Sequence, residues 1–113
     1  MSSPHDLCNA KMQISLCYYR KDPKKTLEWI QAAQQHLSSI QDNTLKGQVL
    51  YYLARSEMLT EQLDSALLHS EQSLSLIRPL GKVRELCWAL NVKAAVLISS
   101  ARTEEARKYI AEA

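Results

Sequence analysis

The chain has no phenylalanine, only two glycines and three prolines among its 113 residues, and few runs of β-branched residues. With so few strand and turn formers, helix is the local preference nearly everywhere, and strands have no segment to occupy. Two glycines cannot build a glycine-rich phosphate loop. No apolar run approaches the roughly 20 residues needed to cross a bilayer. The opening Met1-Ser2-Ser3-Pro4-His5-Asp6 lacks the charged and apolar regions of a secretory signal. A cytoplasmic location is therefore the default expectation. Charge of one sign is also scarce: a net charge of +2 and a pI near 8.5 fall short of the basic stripe that grips phosphate. Neither nucleic acid nor a membrane is expected as a partner.

Chemistry-bearing groups are equally sparse. Cys8, Cys17 and Cys87 are odd in number, and the first two would lie about 13 Å apart along one helix, too far for a disulfide. They read as reduced thiols, most of them packed. His5, His36 and His69 fall in different segments with no second histidine or cysteine at metal-ligand spacing, so no metal and no cofactor is expected. His36 and His69 read as partly exposed helix-surface residues making local hydrogen bonds. No cysteine has a histidine placed on the same helix to act as its base, so the chain is not expected to be an enzyme. Glu104 and Glu105 suit the start of a helix. Arg20, Lys21, Lys24 and Lys25 read as a solvated turn rather than an anion site.

What the chain does have is self-similarity. Ala54 and Ala66 are answered by Ala94 and Ala106 at a spacing of 40 (94 − 54 and 106 − 66), and the series extends back to Ile14 and Thr26. Ile30, Ser70 and Ile110 keep the same period, as do Ala33, Ser73 and Ala113. A period of this size predicts stacked helix pairs in three copies, about 1–40, 41–80 and 81–113. Breakers and apolar spacing predict six helices. The first starts at Pro4 and runs to about Tyr19, with Leu7, Met12, Ile14, Leu16 and Cys17 as its apolar positions. The second is opened by Asp22-Pro23 and ends near Ser39. The third is capped by Asp42 or Asn43 and runs to about Thr60. The fourth begins at Gln62 and is stopped by Pro79 and Gly81. The fifth spans about Lys82 to Ser99, and the sixth begins near Thr103.

These residues resemble the tetratricopeptide repeat. Leu50, Leu53 and Ala54 followed by Ala66, Ser70 and Ser73 look like its series, and Leu90, Ala94 and Leu97 followed by Ala106, Ile110 and Ala113 match it better. Glu61-Gln62-Leu63-Asp64-Ser65-Ala66 and Ala101-Arg102-Thr103-Glu104-Glu105-Ala106 are similar to the family's inter-helix turn. The period is longer than the family's usual one, as in the longer-repeat arrays of bacterial regulators and signalling proteins. The small residues have a physical reason, since an alanine at a crossing lets two helix axes approach to about 8 Å. The resemblance implies an all-α, right-handed helical-repeat array, an α-solenoid of three antiparallel helix pairs.

It also implies a concave groove lined by the first helix of each pair. By position the lining is Lys11, Ser15 and Tyr18, then Gln48, Tyr51, Arg55 and Met58, then Trp88, Asn91, Ala95 and Ile98. Tyr51, Arg55 and Trp88 are the expected centre of binding, because tyrosine, tryptophan and arginine carry much of the energy at interfaces. Tyr52 is expected in the core. A dicarboxylate clamp is not expected, because Ser15, Tyr52, Trp88 and Val92 stand where its polar residues would be. The expected function is a non-catalytic scaffold that binds a protein or peptide in this groove. Two alternatives stand beside it. The last helix leaves Ala106, Ile110 and Ala113 facing the place where another helix would stack, which suggests a homodimer or a piece of a longer array. The chain also suits the sensory segment of a larger signalling enzyme or transcription regulator.

Overall fold

The computed structural model describes residues 3–100 and 109–112. Five helices follow one another: α1 (Pro4–Cys17), α2 (Pro23–Gln34), α3 (Asn43–Leu59), α4 (Leu63–Ile77) and α5 (Val83–Ser99). Short 3₁₀ turns at Leu37–Ser39 and Arg78–Leu80 follow α2 and α4, residues 109–112 are helical, and no strand occurs among the described residues. The body measures 47 × 31 × 20 Å. A helix with its side chains is about 10–12 Å across, so the short dimension holds two layers of helices.

Side chains set the helix starts. Ser3 Oγ accepts from Asp6 N ahead of Pro4, Asp22 accepts from Lys25 N ahead of Pro23, and Asp42 accepts from both Thr44 N and Leu45 N. Each cap satisfies amide donors that have no partner inside the helix. Gly81, with φ 70°, ends the turn after α4, a left-handed conformation that glycine adopts without steric cost. α2 stops at Gln34, short of the expected Ser39, because the chain tightens into a 3₁₀ turn there. The expected sixth helix from Thr103, with Ala106, Ala113, Glu104 and Glu105, lies outside the described residues.

α3 is the element that the others share. It packs against α2, α4 and α5, whereas α1 packs chiefly against α2. One core cluster joins Cys8 and Met12 to Ile30, Ala33, Ile40, Leu45, Val49 and Leu53. A second joins Tyr51 and Ala54 to Ala66, Leu74, Ile77 and the inward residues of α5. The closest approach within α3·α4 is at Gly47, where a Cβ would fall 2.4 Å from Ile77 Cγ1, and Ser73 Oγ donates to the Gly47 carbonyl at 2.8 Å.

Burial follows the period between the second and third copies. Val49, Leu50, Leu53, Ala54, Ser56 and Glu57 are buried, and so is the residue 40 positions after each. The α2 positions Thr26, Ile30 and Ala33 are buried like their counterparts Ala66, Ser70 and Ser73 in α4. α1 departs from the expected register. Ile14 is 36% exposed where Ala54 and Ala94 are enclosed, and Leu7 and Cys17 also face outward. The buried residues of α1 are Cys8, Met12 and Ser15, which answer Val49, Leu53 and Ser56 at a spacing of 41 (49 − 8, 53 − 12, 56 − 15). The turns explain the extra residue. Arg20 and Glu61 both hold positive φ, at 74° and 64°, again 41 apart, whereas the caps Asp22 and Gln62 that come next are 40 apart. Lys21 is therefore an insertion in the first turn.

Two charged groups are taken inside. Lys93 is only 2% exposed, replaces Leu53 of the preceding copy, donates from Nζ to Glu71 Oε1 at 2.7 Å and lies 5.7 Å from the Tyr109 ring centroid. Glu57 is buried on α3 with Oε1 2.6 Å from His69 Nδ1, and His69 Nε2 in turn lies 3.5 Å from Gln34 Nε2. This chain of polar groups ties α3, α4 and α2 together. Burial pushes the Glu57 carboxyl above the usual glutamate range, and the hydrogen bond from His69 pulls against that shift.

Candidate functional site: an aromatic groove between α3 and α5

α3 and α5 lie side by side, and a cavity of about 490 Å³ opens between their N-terminal halves. Gln48, Tyr51 and Tyr52 line it from α3; Arg84, Glu85, Cys87, Trp88 and Asn91 line it from α5. The helical period brings them together, because residues three and four apart share a face. Three rings form the wall. Tyr51 and Tyr52 have centroids 4.6 Å apart, and Trp88 stands 6.1 Å from Tyr51 and 6.3 Å from Tyr52, all in edge or tilted arrangements. Such contacts hold the rings as one rigid apolar surface. Burial, with Tyr52 and Glu85 adding to it, raises the Tyr51 hydroxyl well above the usual tyrosine range, so it stays a neutral hydrogen-bonding group. Trp88 Nε1 is enclosed and meets no acceptor among the described residues.

The expected groove residues do not all arrive here. Gln48, Tyr51, Trp88 and Asn91 line the one cavity. Tyr51, however, is only 4% exposed and serves as floor, while Tyr52, expected in the core, is half-buried and lines the wall. The reason is that α3 is covered from three sides, so its buried arc is wider than one stripe. Ser15 is fully enclosed, its Oγ donating to the Met12 carbonyl at 2.6 Å, and cannot line a groove. Lys11 turns toward the end of α2 and donates to His36 Nε2 at 2.9 Å. Both result from the one-residue shift of α1. Met58 packs half-buried on the second core cluster, Ala95 is half-buried and Ile98 is exposed.

Arg55 does not join Tyr51 and Trp88 as expected. Its guanidinium carbon lies 4.8 Å from the Tyr19 ring centroid, and the Arg20 guanidinium carbon lies 5.7 Å from the same centroid. Tyr18, half-buried, carries Lys25 Nζ at 5.2 Å from its ring centroid. Sequence reasoning missed Tyr19, because the register of 40 placed Tyr18 on the groove face instead.

Elsewhere, Cys8 is buried with Sγ directed at the Ala33 carbonyl, and burial pushes its thiol up, away from the reactive thiolate. Cys87 is half-buried and Cys17 exposed. A cleft of about 650 Å³ beside Tyr109 is bordered by Glu71 and Arg78, already engaged with Lys93 and Glu112. Among the described residues, no group of three or more histidine, cysteine or acidic side chains is placed to hold a metal, and no helix is long and apolar enough to cross a membrane. Compared with protein-family models, curated proteins and solved structures, the chain matches none.

Proposed function

We propose that the chain is a right-handed array of helix pairs, similar to tetratricopeptide repeats, that acts as a non-catalytic interaction module and binds a peptide or partner helix along α3 and α5. The observation that carries this reading is the aromatic cavity, in which Tyr51, Tyr52 and Trp88 form a rigid wall and Gln48 and Asn91 bring polar groups to the same space. An apolar anchor seated there would bury its area against preformed rings, at little cost in ordering the site. The burial period shared by α3 and α5 supports the array.

The test is selection of peptides from a displayed library on the immobilised chain, followed by titration of the selected peptides against Trp88→Ala and Asn91→Ala. Trp88→Ala should weaken the selected peptides by about 2 kcal/mol, on the order of thirtyfold. Selected peptides that bind the parent and Trp88→Ala equally well would sink the groove reading.

A second reading has its own observation. Ile110 is 53% exposed, a large apolar side chain on the last helical segment, and a second copy could cover it. Light scattering across a concentration series decides this. A dimer in the parent that is lost in Ile110→Glu supports self-association, and a monomer in both removes it.

A further inference from the structure

The geometry points to an anion site at the turn between α1 and α2, where Arg55 and Arg20 meet the ring of Tyr19, that takes the carboxylate or phosphate groups of an acidic peptide. The inference deepens the groove reading and rests on it for the peptide character of the ligand.

The first ground is charge without counter-charge. Among the described residues, Arg20, Lys21, Lys24, Lys25 and Arg55 have no carboxylate within 4.0 Å, although Lys93 and Arg78 have found theirs. The two nearby acids do not neutralise the group. Asp22 is committed to capping α2 through Lys25 N, and Glu61 lines the neighbouring cleft with Lys21 and Lys24 without pairing to either. The second ground is preorganisation. Two guanidiniums rest against one tyrosine ring, from α3 and from the turn, and Lys25 rests on the adjacent Tyr18. Rings that hold cations in place leave their N–H groups aimed outward with little rotamer freedom left to lose. The third ground is an unmet donor: Arg55 Nε is enclosed and has no hydrogen-bond partner, so its guanidinium lacks the acceptor that such burial calls for. The fourth is the turn itself. Arg20 holds φ 74° without being glycine, in the turn that carries the extra Lys21. Strain of this kind persists where the surroundings over-determine it and gathers at binding sites.

Position links this site to the groove. Gln48, Tyr51 and Arg55 descend one face of α3 at steps of three and four, about 10 Å from first to last, so the cavity and the cations lie along one path. A ligand that seats an apolar side chain at Trp88 would carry its acidic groups a few residues away, over Tyr19. Bidentate pairing with a carboxylate or phosphate suits guanidinium better than ammonium, which makes Arg55 and Arg20 the selective pair and Lys25 an electrostatic support.

The test is titration of the isotope-labelled chain, followed by amide and arginine side-chain NMR signals. The probes are blocked tetraglutamate, a blocked phosphoserine peptide, blocked tetraglutamine and an apolar tryptophan peptide without acids. The expected result is that the glutamate and phosphoserine peptides shift signals from Tyr18 to Lys25 and at Arg55, about tenfold more tightly than tetraglutamine. Binding should weaken as salt rises. Arg55→Gln and Arg20→Gln, each checked for retained helix content, should lose about tenfold, while Lys82→Gln, an exposed cation at the start of α5, should not change it. Equal shifts at Lys82 and at the turn, unchanged affinity in both arginine variants, or binding to phosphatidylserine vesicles but to neither peptide would overturn the site. Between the two peptides, the tighter one identifies carboxylate or phosphate as the group taken. The apolar peptide reports separately on the cavity: no response at the Trp88 indole counts against the groove reading even where the turn responds.

Discussion

At the scale of single residues, the side chains that cap and pin the helices set the sharpest expectations. Asp42 receives two amide hydrogen bonds at the start of α3 and a third from His5 Nε2 at 3.1 Å, and these hold its carboxyl below the usual range. A carboxyl lowered on folding stabilises above its unfolded value and loses that contribution as pH falls through the folded one. Asp42→Ala should therefore cost about 1 kcal/mol in urea unfolding at neutral pH, and less in acid. Glu57 works in the opposite sense. Its raised carboxyl means that the folded chain holds the proton more tightly, so its contribution declines as pH rises past the ordinary glutamate range. The stability of Glu57→Gln relative to the parent should rise between about pH 4 and pH 7, and a flat difference would mean that the His69 hydrogen bond offsets the burial of the charge. Asp42 was readable from the sequence, because an N-cap is a local signal. The partnership of Glu57 and His69 was not, since residues 12 apart on two helices meet only once the helices have packed.

At the scale of helices and turns, close approach and buried charge decide what can be changed. Gly47 sits against the inward branch of Ile77, which is itself enclosed and cannot swing away, so Gly47→Ala should destabilise by about 1–3 kcal/mol. Reading alanines as the small crossing residues found Ala54 and Ala66 but not Gly47, because glycine in a helix looks like a breaker until a neighbour is seen to need the space. Lys93 sets a second asymmetry between α4 and α5. Glu71→Ala should cost about 2 kcal/mol, discounted because Glu71 is exposed, since it leaves the enclosed ammonium without its counter-charge. Lys93→Met, which removes the charge and keeps the stem, should be neutral or stabilising by comparison. Denaturant midpoints of the two variants against the parent measure both. The helix boundaries were readable within a few residues from Pro4, Asp22-Pro23, Asp42 and Gly81. The face of α1 was not, because a single inserted residue rotates a helix by about 100° and no composition signal marks which turn holds it.

For the whole molecule, helices differ in how well they are held. α3 has neighbours on three sides and contributes to both core clusters, whereas α1 buries only Cys8, Met12 and Ser15 and leaves Leu7, Ile14 and Cys17 outward. Hydrogen exchange should find the amides of α1 opening at lower free energy than those of α3. Equal protection in the two would mean that α1 opens only with the rest of the fold. The all-helical architecture could be read from composition and period, and half of the groove from the period alone, because α3 and α5 obey a spacing of 40 residues. The difference between the turns also bears on how the chain can be lengthened. The stretch from Asn43 to Lys82 repeats in step with α5, so a duplicate of those 40 residues inserted after Lys82 would present to α5 the face it already meets. The stretch before Asn43 would join a duplicate one residue out of phase. The chain thus carries one unit that can be copied as a cassette and one that cannot, and the residue that separates them is Lys21.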